Sequence, residues 1–265
     1  MNKLKIWLNG MKILRSFYAI LLVILGGYLT DNLDVSIILK TFAIFCAWEY
    51  TAILNNIYDI KIDKLSKKEN PLLSKLVTRE TYLEIGIAFG IASIVFSYQF
   101  FPFSTLLILS SLMLGTIYSI PPLRLRRYPF SSCFIGAGTV ISLILGMIPL
   151  ELTTSRIITL LIIFLVVSIG TSIKDLESYE ADKRLGINTI FTIWNKEKGK
   201  KVASLLLFSS FLIPLVIFPN YIIIFISAGI VSTILFYKRE DIKIIIVLVM
   251  ILFLLCASSL KASHF

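Results

Sequence analysis

An all-α integral membrane protein is the fold class that the sequence predicts, on three observations. Of the 265 residues 57% are hydrophobic and the mean hydropathy is +0.88, whereas soluble domains are about 45–50% apolar. Several apolar runs are long enough to cross a hydrocarbon layer of about 30 Å, which takes about 20 helical residues. These runs are continuous and lack the short alternating segments of an outer-membrane barrel. The bilayer is therefore expected to be the main solvent of the chain.

Nine apolar segments follow one another, and each is interpreted as a membrane-spanning helix whose ends are uncertain by a few residues. They are 13–30, 35–57, 81–101, 103–120, 131–150, 156–173, 202–218, 220–237 and 242–260. Lysines precede the first segment as in a signal peptide, but no small-residue cleavage site follows, which favours a retained helix. We expect residues 1–265 to form a single transmembrane domain.

Lysine and arginine are distributed unevenly between the two sides of this predicted topology. With nine alternating spans, 23 of the 26 lie at the N-terminus or in the loops on its side, and two lie opposite. Basic loops stay in the cytoplasm, so the N-terminus and the loops at 58–80, 121–130 and 174–201 are predicted to be cytoplasmic. The net charge of +10 thus reflects orientation, and nucleic-acid binding is not expected because it needs a basic soluble surface.

Two acidic stretches with the same spacing stand directly after the second and sixth spans. Polar residues spaced three and then four apart form a first acidic motif, Asn56, Asp59 and Asp63, and a second, Asp175, Ser178 and Asp182. At 100° per residue each set covers about 60° of a helix surface. Both sets would project into one place if the two helices faced each other.

Four aspartates gathered beside hydrocarbon predict a bound cation, because close carboxylates repel and buried charge is costly. Mg²⁺ is the natural candidate, since it prefers carboxylate oxygens and completes its shell with water and substrate phosphates. The single histidine, His264, and three cysteines scattered in apolar spans do not supply a zinc site or a Ser-His-Asp triad. Solvated acids on lysine-rich loops are the alternative, which fits each aspartate alone but not the repeated spacing.

A basic loop follows the fourth span, with the sequence Tyr118-Ser-Ile-Pro-Pro-Leu-Arg124-Leu-Arg126-Arg127. The two prolines stop the helix, and arginine binds phosphate oxygens in pairs. An arginine loop beside a magnesium–carboxylate site would suit a diphosphate group. Plain anchoring by cytoplasmic charge is the alternative, and it would not need the Tyr-x-x-Pro-Pro context.

Together these motifs resemble the UbiA superfamily of intramembrane prenyltransferases over nearly the whole chain. The resemblance rests on Asn-x-x-Asp-x-x-x-Asp after span two, Tyr-Ser-x-Pro-Pro-x-Arg-x-Arg-Arg after span four, and Lys-Asp-x-x-x-x-x-x-Asp-Lys with Gly186-Ile-Asn-Thr189 after span six. It implies nine helices around a central cavity with a lateral opening to lipid. It also implies Mg²⁺-dependent transfer of a prenyl group from a polyprenyl diphosphate to an acceptor.

The resemblance assigns roles by position. Metal binding and catalysis fall to Asp59, Asp63, Asp175 and Asp182. Diphosphate binding falls to Asn56, Tyr118, Arg124 and Arg15, and the nearby positive charges of Lys68 and Arg126 are expected to neutralise the departing diphosphate. Three positions depart from the family pattern, since Asn55-Asn56 stands for Asn-Asp, Ser178 for Asp and Asn70-Pro71 for Arg-Pro.

Several questions stay open in the sequence. The acceptor is an aromatic acid such as homogentisate or 4-hydroxybenzoate, a naphthoate, a haem vinyl group or a glycerol-phosphate lipid, and neither prenyl length nor oligomeric state is indicated. Tyrosines 58, 118 and 179 either stabilise an allylic carbocation or belong to the membrane interface. The departures at Asn56 and Ser178 suggest a catalytically altered membrane scaffold as one rival. A small transporter is the other, although it would place its charges near mid-bilayer.

Overall fold

The computed structural model describes residues 6–7, 10–98, 102–149, 153–240 and 245. Within these residues every regular element is a helix, which confirms the predicted all-α class. The longer helices are α1 (Ile13–Leu29), α2 (Ser36–Tyr58), α4 (Arg79–Tyr98), α5 (Pro102–Ser119), α6 (Ser132–Met147), α7 (Thr154–Gly170), α10 (Lys196–Leu212) and α11 (Ile222–Arg239). The short helices are α3 (Ile60–Leu65), α8 (Tyr179–Arg184) and α9 (Ile190–Trp194), with 3₁₀ turns at Leu125–Arg127, Thr171–Ser178, Ile213–Val216 and Pro219–Tyr221.

Eight of the nine predicted spans correspond to apolar helices among the described residues. Six are long and apolar enough to cross a membrane, whereas α1 and α6 fall in the shorter class of 10–17 residues. The ninth predicted span, 242–260, lies outside the described residues, so nine helices stay a prediction. The six long apolar helices identify an integral membrane protein.

The chain divides into two compact units, the first made of residues 1–126 and 141–150. In this unit α2 packs against α1, α4 and α5. Its main core is built from small and branched apolar side chains, namely Ala19, Val23, Ala43, Ile44, Ala47, Leu107, Ile108, Leu145 and Ile148. Small side chains let helices approach closely, which matters in lipid because hydrophobic burial does not drive helix association there.

Glycines provide the closest approaches in the first unit. A Cβ atom on Gly146 would lie 1.9 Å from the carbonyl oxygen of Val23, and one on Gly26 would lie 2.2 Å from that of Leu143. A Cβ atom on Gly86 would stand 3.0 Å from Ile53. The backbones of α1 and α6 therefore touch where only glycine fits.

Two polar side chains from the N-terminal part of the first unit cap the C-terminal end of α6. The buried Lys40 ammonium donates to the carbonyl of Ile148 at 2.7 Å, and Asn32 Nδ2 donates to that of Met147 at 3.2 Å. The last carbonyls of a helix have no partner within it. Lysine and asparagine supply these partners here.

The second unit comprises the described residues of the ranges 127–140 and 151–265. Here α10 packs against α7, α9, α11 and the Thr171–Ser178 turn. Large aromatic and aliphatic side chains fill its core, including Ile173, Tyr179, Phe191, Leu207, Phe211, Phe225 and Phe236. This core holds the Thr171–Ser178 turn and α8, which carry the second acidic motif.

Candidate active site

The first acidic motif lies at a break between two helices of the first unit. Helix α2 ends at Tyr58, Asp59 has φ −96° and ψ 9°, and α3 begins at Ile60. The Asp59 carboxylate is therefore close to the C-terminal end of α2, where the helix dipole disfavours an anion. Nearby cations are needed to stabilise it.

Two arginines of the 121–127 loop supply this compensation. Arg124 Nη2 lies 2.9 Å from Asp59 Oδ1, and Arg126 Nε lies 3.0 Å from Asp59 Oδ2. Arg124 Nη2 also donates to the carbonyl of Tyr58 at 2.7 Å, which caps the end of α2. Asp59 is buried and the two arginines are partly buried, with 3% of the Asp59 side chain and 13–14% of the arginine side chains exposed. The loop predicted to bind diphosphate thus contacts the predicted metal ligand directly.

Asparagine side chains complete the surroundings of both aspartates. Asn55 Nδ2 donates to Asp59 Oδ2 at 2.5 Å. The fully buried Asn70 donates to Asp63 Oδ2 at 2.8 Å and to the backbone carbonyl of Asn56 at 3.0 Å. Burial raises the pKa of Asp63, while this hydrogen bond from Asn70 opposes the rise. Asn70 therefore fixes the distance between the motif and the loop that follows it.

The amide group of Asn56 donates hydrogen bonds to other groups of the protein. Its Nδ2 donates to the carbonyl of Gly10 at 2.6 Å and to the hydroxyl of Tyr82 at 3.0 Å. The Trp7 ring packs edge-on against the Tyr82 ring, 5.9 Å between centroids. These contacts hold the segment before α1 against the first acidic motif.

Lys12 also belongs to this site, although in the sequence it is one of several lysines that precede the first span. Its Nζ donates to Asn55 Oδ1. Burial, with the charge of Arg15, lowers the pKa of Lys12 to about 7, and the carboxylates of Asp63 and Asp59 oppose the shift. Lys12 lies far from the motif in sequence and has no spacing pattern, so only the folded chain identifies it.

The other predicted diphosphate ligands of the first unit are Lys68, Arg15 and Tyr118. Lys68 is exposed, and its backbone N–H donates to the carbonyl of Asp63 at 2.9 Å. Arg15 is exposed, and its backbone N–H donates to the carbonyl of Lys12 at 2.7 Å. Tyr118 is half-buried in the last turn of α5.

The second acidic motif is also divided, between the Thr171–Ser178 turn and α8. Lys174 Nζ lies 2.7 Å from Asp175 Oδ1 and donates to the Ser131 hydroxyl at 3.2 Å. The Ser178 hydroxyl donates to Asp182 Oδ2 at 2.6 Å, and both side chains are buried. Ser178 thus stabilises the neighbouring carboxylate, which an ionised aspartate in its place would repel.

The donor chemistry of both motifs fits a hard divalent cation. Asp59 lies at the break between α2 and α3, and Asp59 and Asp182 are almost fully buried. Among the described residues no three acidic, histidine or cysteine side chains converge as a preformed cage. Mg²⁺ commonly uses one or two carboxylates together with water and substrate phosphates, so this arrangement suits it.

Comparisons with known proteins identify the family. Residues 17–244 match the UbiA prenyltransferase family, to which the chain therefore belongs. Among solved structures, a UbiA homolog from Archaeoglobus fulgidus bound to DMAPP and Mg²⁺ has a TM-score of 0.73 at 16% identity, covering 97% of this chain and 96% of that one. The likeness confirms the predicted all-helical, UbiA-type fold, while the count of nine helices stays a prediction.

The curated relatives include one protein named for homogentisate and one named for digeranylgeranylglyceryl phosphate. The chain is 33% identical over 164 residues to the probable homogentisate phytyltransferase 2, chloroplastic, of Oryza sativa subsp. japonica, covering 57% of this chain and 42% of that protein. It is 27% identical over 158 residues to the digeranylgeranylglyceryl phosphate synthase of Thermococcus sibiricus, covering 59% and 55%. The matches span about half the length of these relatives.

Proposed function

We propose that the protein transfers a prenyl group from a polyprenyl diphosphate to an aromatic or lipid acceptor in the membrane, with Mg²⁺. The observation that carries this proposal is the buried Asp59 held between Arg124 and Arg126 at the end of an apolar helix. Family membership and the names of the two relatives support the same reaction class.

The four aspartates are proposed as the metal ligands and catalytic residues. Asp59 and Asp63 would contribute from the first acidic motif, and Asp175 and Asp182 from the second. When bound, magnesium would supply positive charge that stabilises the departing diphosphate. Asn70 and Ser178 would hold two of these carboxylates in place through the hydrogen bonds that they donate.

The arginines are proposed to bind the diphosphate. Arg124 and Arg126 are already desolvated and oriented, because Asp59 and the Tyr58 carbonyl hold them. Preorganised donors of this kind stabilise a leaving group without reorganising during the reaction. The same role is proposed for Lys68, Tyr118 and Arg15. Asn56 would support diphosphate binding indirectly, from its place in the motif, because its amide nitrogen donates to the Gly10 carbonyl and the Tyr82 hydroxyl.

The apolar surroundings are proposed to protect the allylic carbocation. Loss of the diphosphate leaves a delocalised cation that water would quench, so exclusion of water favours attack by the acceptor. Tyr58 and Tyr179 stand beside the two motifs, and each ring already has a basic group 5.8 Å from its centre, Arg79 and Lys183 respectively. These rings therefore have the electron-rich faces that stabilise cations.

The orientation of the chain forms part of the proposal. The excess of lysine and arginine in the motif loops supports a cytoplasmic location for these loops and for the N-terminus. The charged diphosphate head of the donor would then meet the site at the cytoplasmic face of the membrane. A cysteine placed at the exposed Lys61 should react with an impermeant maleimide from the cytoplasmic side only.

A transfer assay on the purified protein in lipid tests the function. The assay combines Mg²⁺, a labelled geranylgeranyl or longer diphosphate and a panel of aromatic and lipid acceptors. We expect transfer that is lost with a chelator and in Asp59→Ala and Asp182→Ala, but kept in Asp34→Ala, which alters an exposed aspartate. Folded wild-type protein that neither transfers the prenyl group nor releases diphosphate would contradict the proposal and favour a membrane scaffold.

A further inference from the structure

The segment before α1 is fixed against the first acidic motif by contacts that involve no charge. Asn56 binds the carbonyl of Gly10 at 2.6 Å. A Cβ atom on Gly10 would lie 2.4 Å from the Pro71 ring, so the segment also touches the loop after α3. Two residues later Lys12 has φ 49°, in the left-handed region. The backbone is thus held so that the Lys12 side chain reaches α2.

The hydrogen bond of Lys12 goes to a neutral group. Asp59 and Asp63 are near enough to influence the charge of Lys12, yet its Nζ donates to Asn55 Oδ1. Asp59 is meanwhile bound by Arg124 and Arg126. Lys12 therefore contacts the neutral Asn55 amide rather than the carboxylate of Asp59.

This contact determines which way the Asn55 amide faces. The two ends of an asparagine amide differ chemically, because the oxygen only accepts and the nitrogen only donates. With its oxygen bound to Lys12, the nitrogen faces Asp59 Oδ2 and donates at 2.5 Å. The reversed amide would place a donor against Lys12 and an acceptor against the carboxylate. Only one orientation satisfies both neighbours.

We propose that Lys12 is a positioning residue of the first acidic motif, which acts through the Asn55 amide to orient the carboxylate of Asp59. The inference rests on the proposed function, because its consequence is seen in metal and diphosphate binding. The hydrogen bond does not depend on the charge of Lys12, since both the ammonium and the neutral amine carry N–H donors. Residues that orient metal ligands typically contribute about 10–100-fold to metal affinity or activity.

Two substitutions at position 12 and a matched control separate this role from general electrostatics. Lys12→Leu removes the donor, and Lys12→Gln keeps an N–H donor on a side chain shorter by one atom. Lys61→Leu removes the same charge from the exposed face of α3. We expect the apparent affinity for Mg²⁺ to fall about 10–100-fold in Lys12→Leu, less in Lys12→Gln, and to stay unchanged in Lys61→Leu.

The first measurement needs no turnover. The thermal midpoint of each variant is followed while Mg²⁺ is added with inorganic diphosphate, because a ligand that binds only the folded state raises the midpoint. The midpoint without ligand reports any loss of folding in the same experiment. Steady-state transfer then gives kcat and KM, and a loss confined to the Mg²⁺ dependence would not arise from a merely structural residue.

A double substitution tests whether Lys12 acts through Asn55. If it does, Lys12→Leu combined with Asn55→Ala loses no more Mg²⁺ affinity than Asn55→Ala alone. Additive losses, or a Lys12→Leu protein identical to the wild type, would overturn the inference and leave the transfer reaction intact. A folded wild-type protein with neither ligand stabilisation nor transfer would instead overturn the proposed function, and this inference with it.

Discussion

Replacing Asp59 by asparagine should destabilise the unliganded protein and strengthen its binding of diphosphate without metal. The carboxylate contacts Arg124 at 2.9 Å and Arg126 at 3.0 Å. At an effective dielectric constant of about 20, one unit-charge pair at this distance has a gross attraction of about 6 kcal/mol. Removing one partner of a buried ion pair costs about 3–5 kcal/mol, because the other charge stays buried. An asparagine oxygen still accepts one hydrogen bond, so we expect a loss of about 3 kcal/mol.

The assay for this prediction is SDS titration in mixed micelles, followed by tryptophan fluorescence, with and without inorganic diphosphate in a chelating buffer. In Asp59→Asn the two arginines lose the carboxylate of Asp59, so diphosphate should stabilise this variant more than the wild type. Asp34→Asn alters an exposed aspartate and retains the Oδ1 acceptor that the Ser36 backbone N–H uses, so it should leave the effect of diphosphate unchanged. A variant as stable as the wild type, or equal stabilisation of both proteins by diphosphate, would show that Asp59 does not hold the arginines.

Three further predictions concern positions that support the site or the helix packing. Gly146→Ala should lower the free energy of unfolding by about 1–3 kcal/mol, because its Cβ would overlap a backbone carbonyl of α1. Gly170→Ala is the control, since its Cβ would make an ordinary contact at 3.4 Å. Equal stabilities of the two variants in an SDS titration would contradict this packing. Asn70→Ala should weaken diphosphate stabilisation in the presence of Mg²⁺ about tenfold, because it releases a carboxylate of the first acidic motif, and an unchanged titration would remove Asn70 from the site. Ser16→Ala should lower stability by about 1–3 kcal/mol, since the Ser16 hydroxyl donates to the fully buried Glu49 at 2.5 Å; a neutral result would show that Glu49 finds another donor.

The sequence was sufficient for the fold class and for the contact between the first acidic motif and the arginine loop. Continuous apolar runs predict membrane helices because the length and continuity of such runs can be read from the sequence alone. Spacing also identified Asp59, and the proline-stopped loop identified the arginines that contact it. The ninth span and the joint action of the two motifs stay predictions.

The contacts of Lys12 and Asn70 were beyond the sequence for a physical reason. Each is a single polar residue whose role depends on where a loop returns in space, and no period marks it. The even helical spacing assumed for each acidic motif was also incomplete, because the backbone changes direction at Asp59 and at Ser178. Local spacing predicts proximity along one helix, but a break redirects the side chains on either side of it.

Lys40, which caps α6, lies inside an apolar helix at a position where an apolar residue would destabilise the fold. Lys40 is 3% exposed and donates to the Ile148 carbonyl. A leucine there would raise the hydropathy of α2 and leave that carbonyl without its donor, at a cost of about 1–3 kcal/mol. Selection for membrane insertion and selection for the folded structure therefore favour opposite residues at this one position. Variants that insert well there should fold poorly.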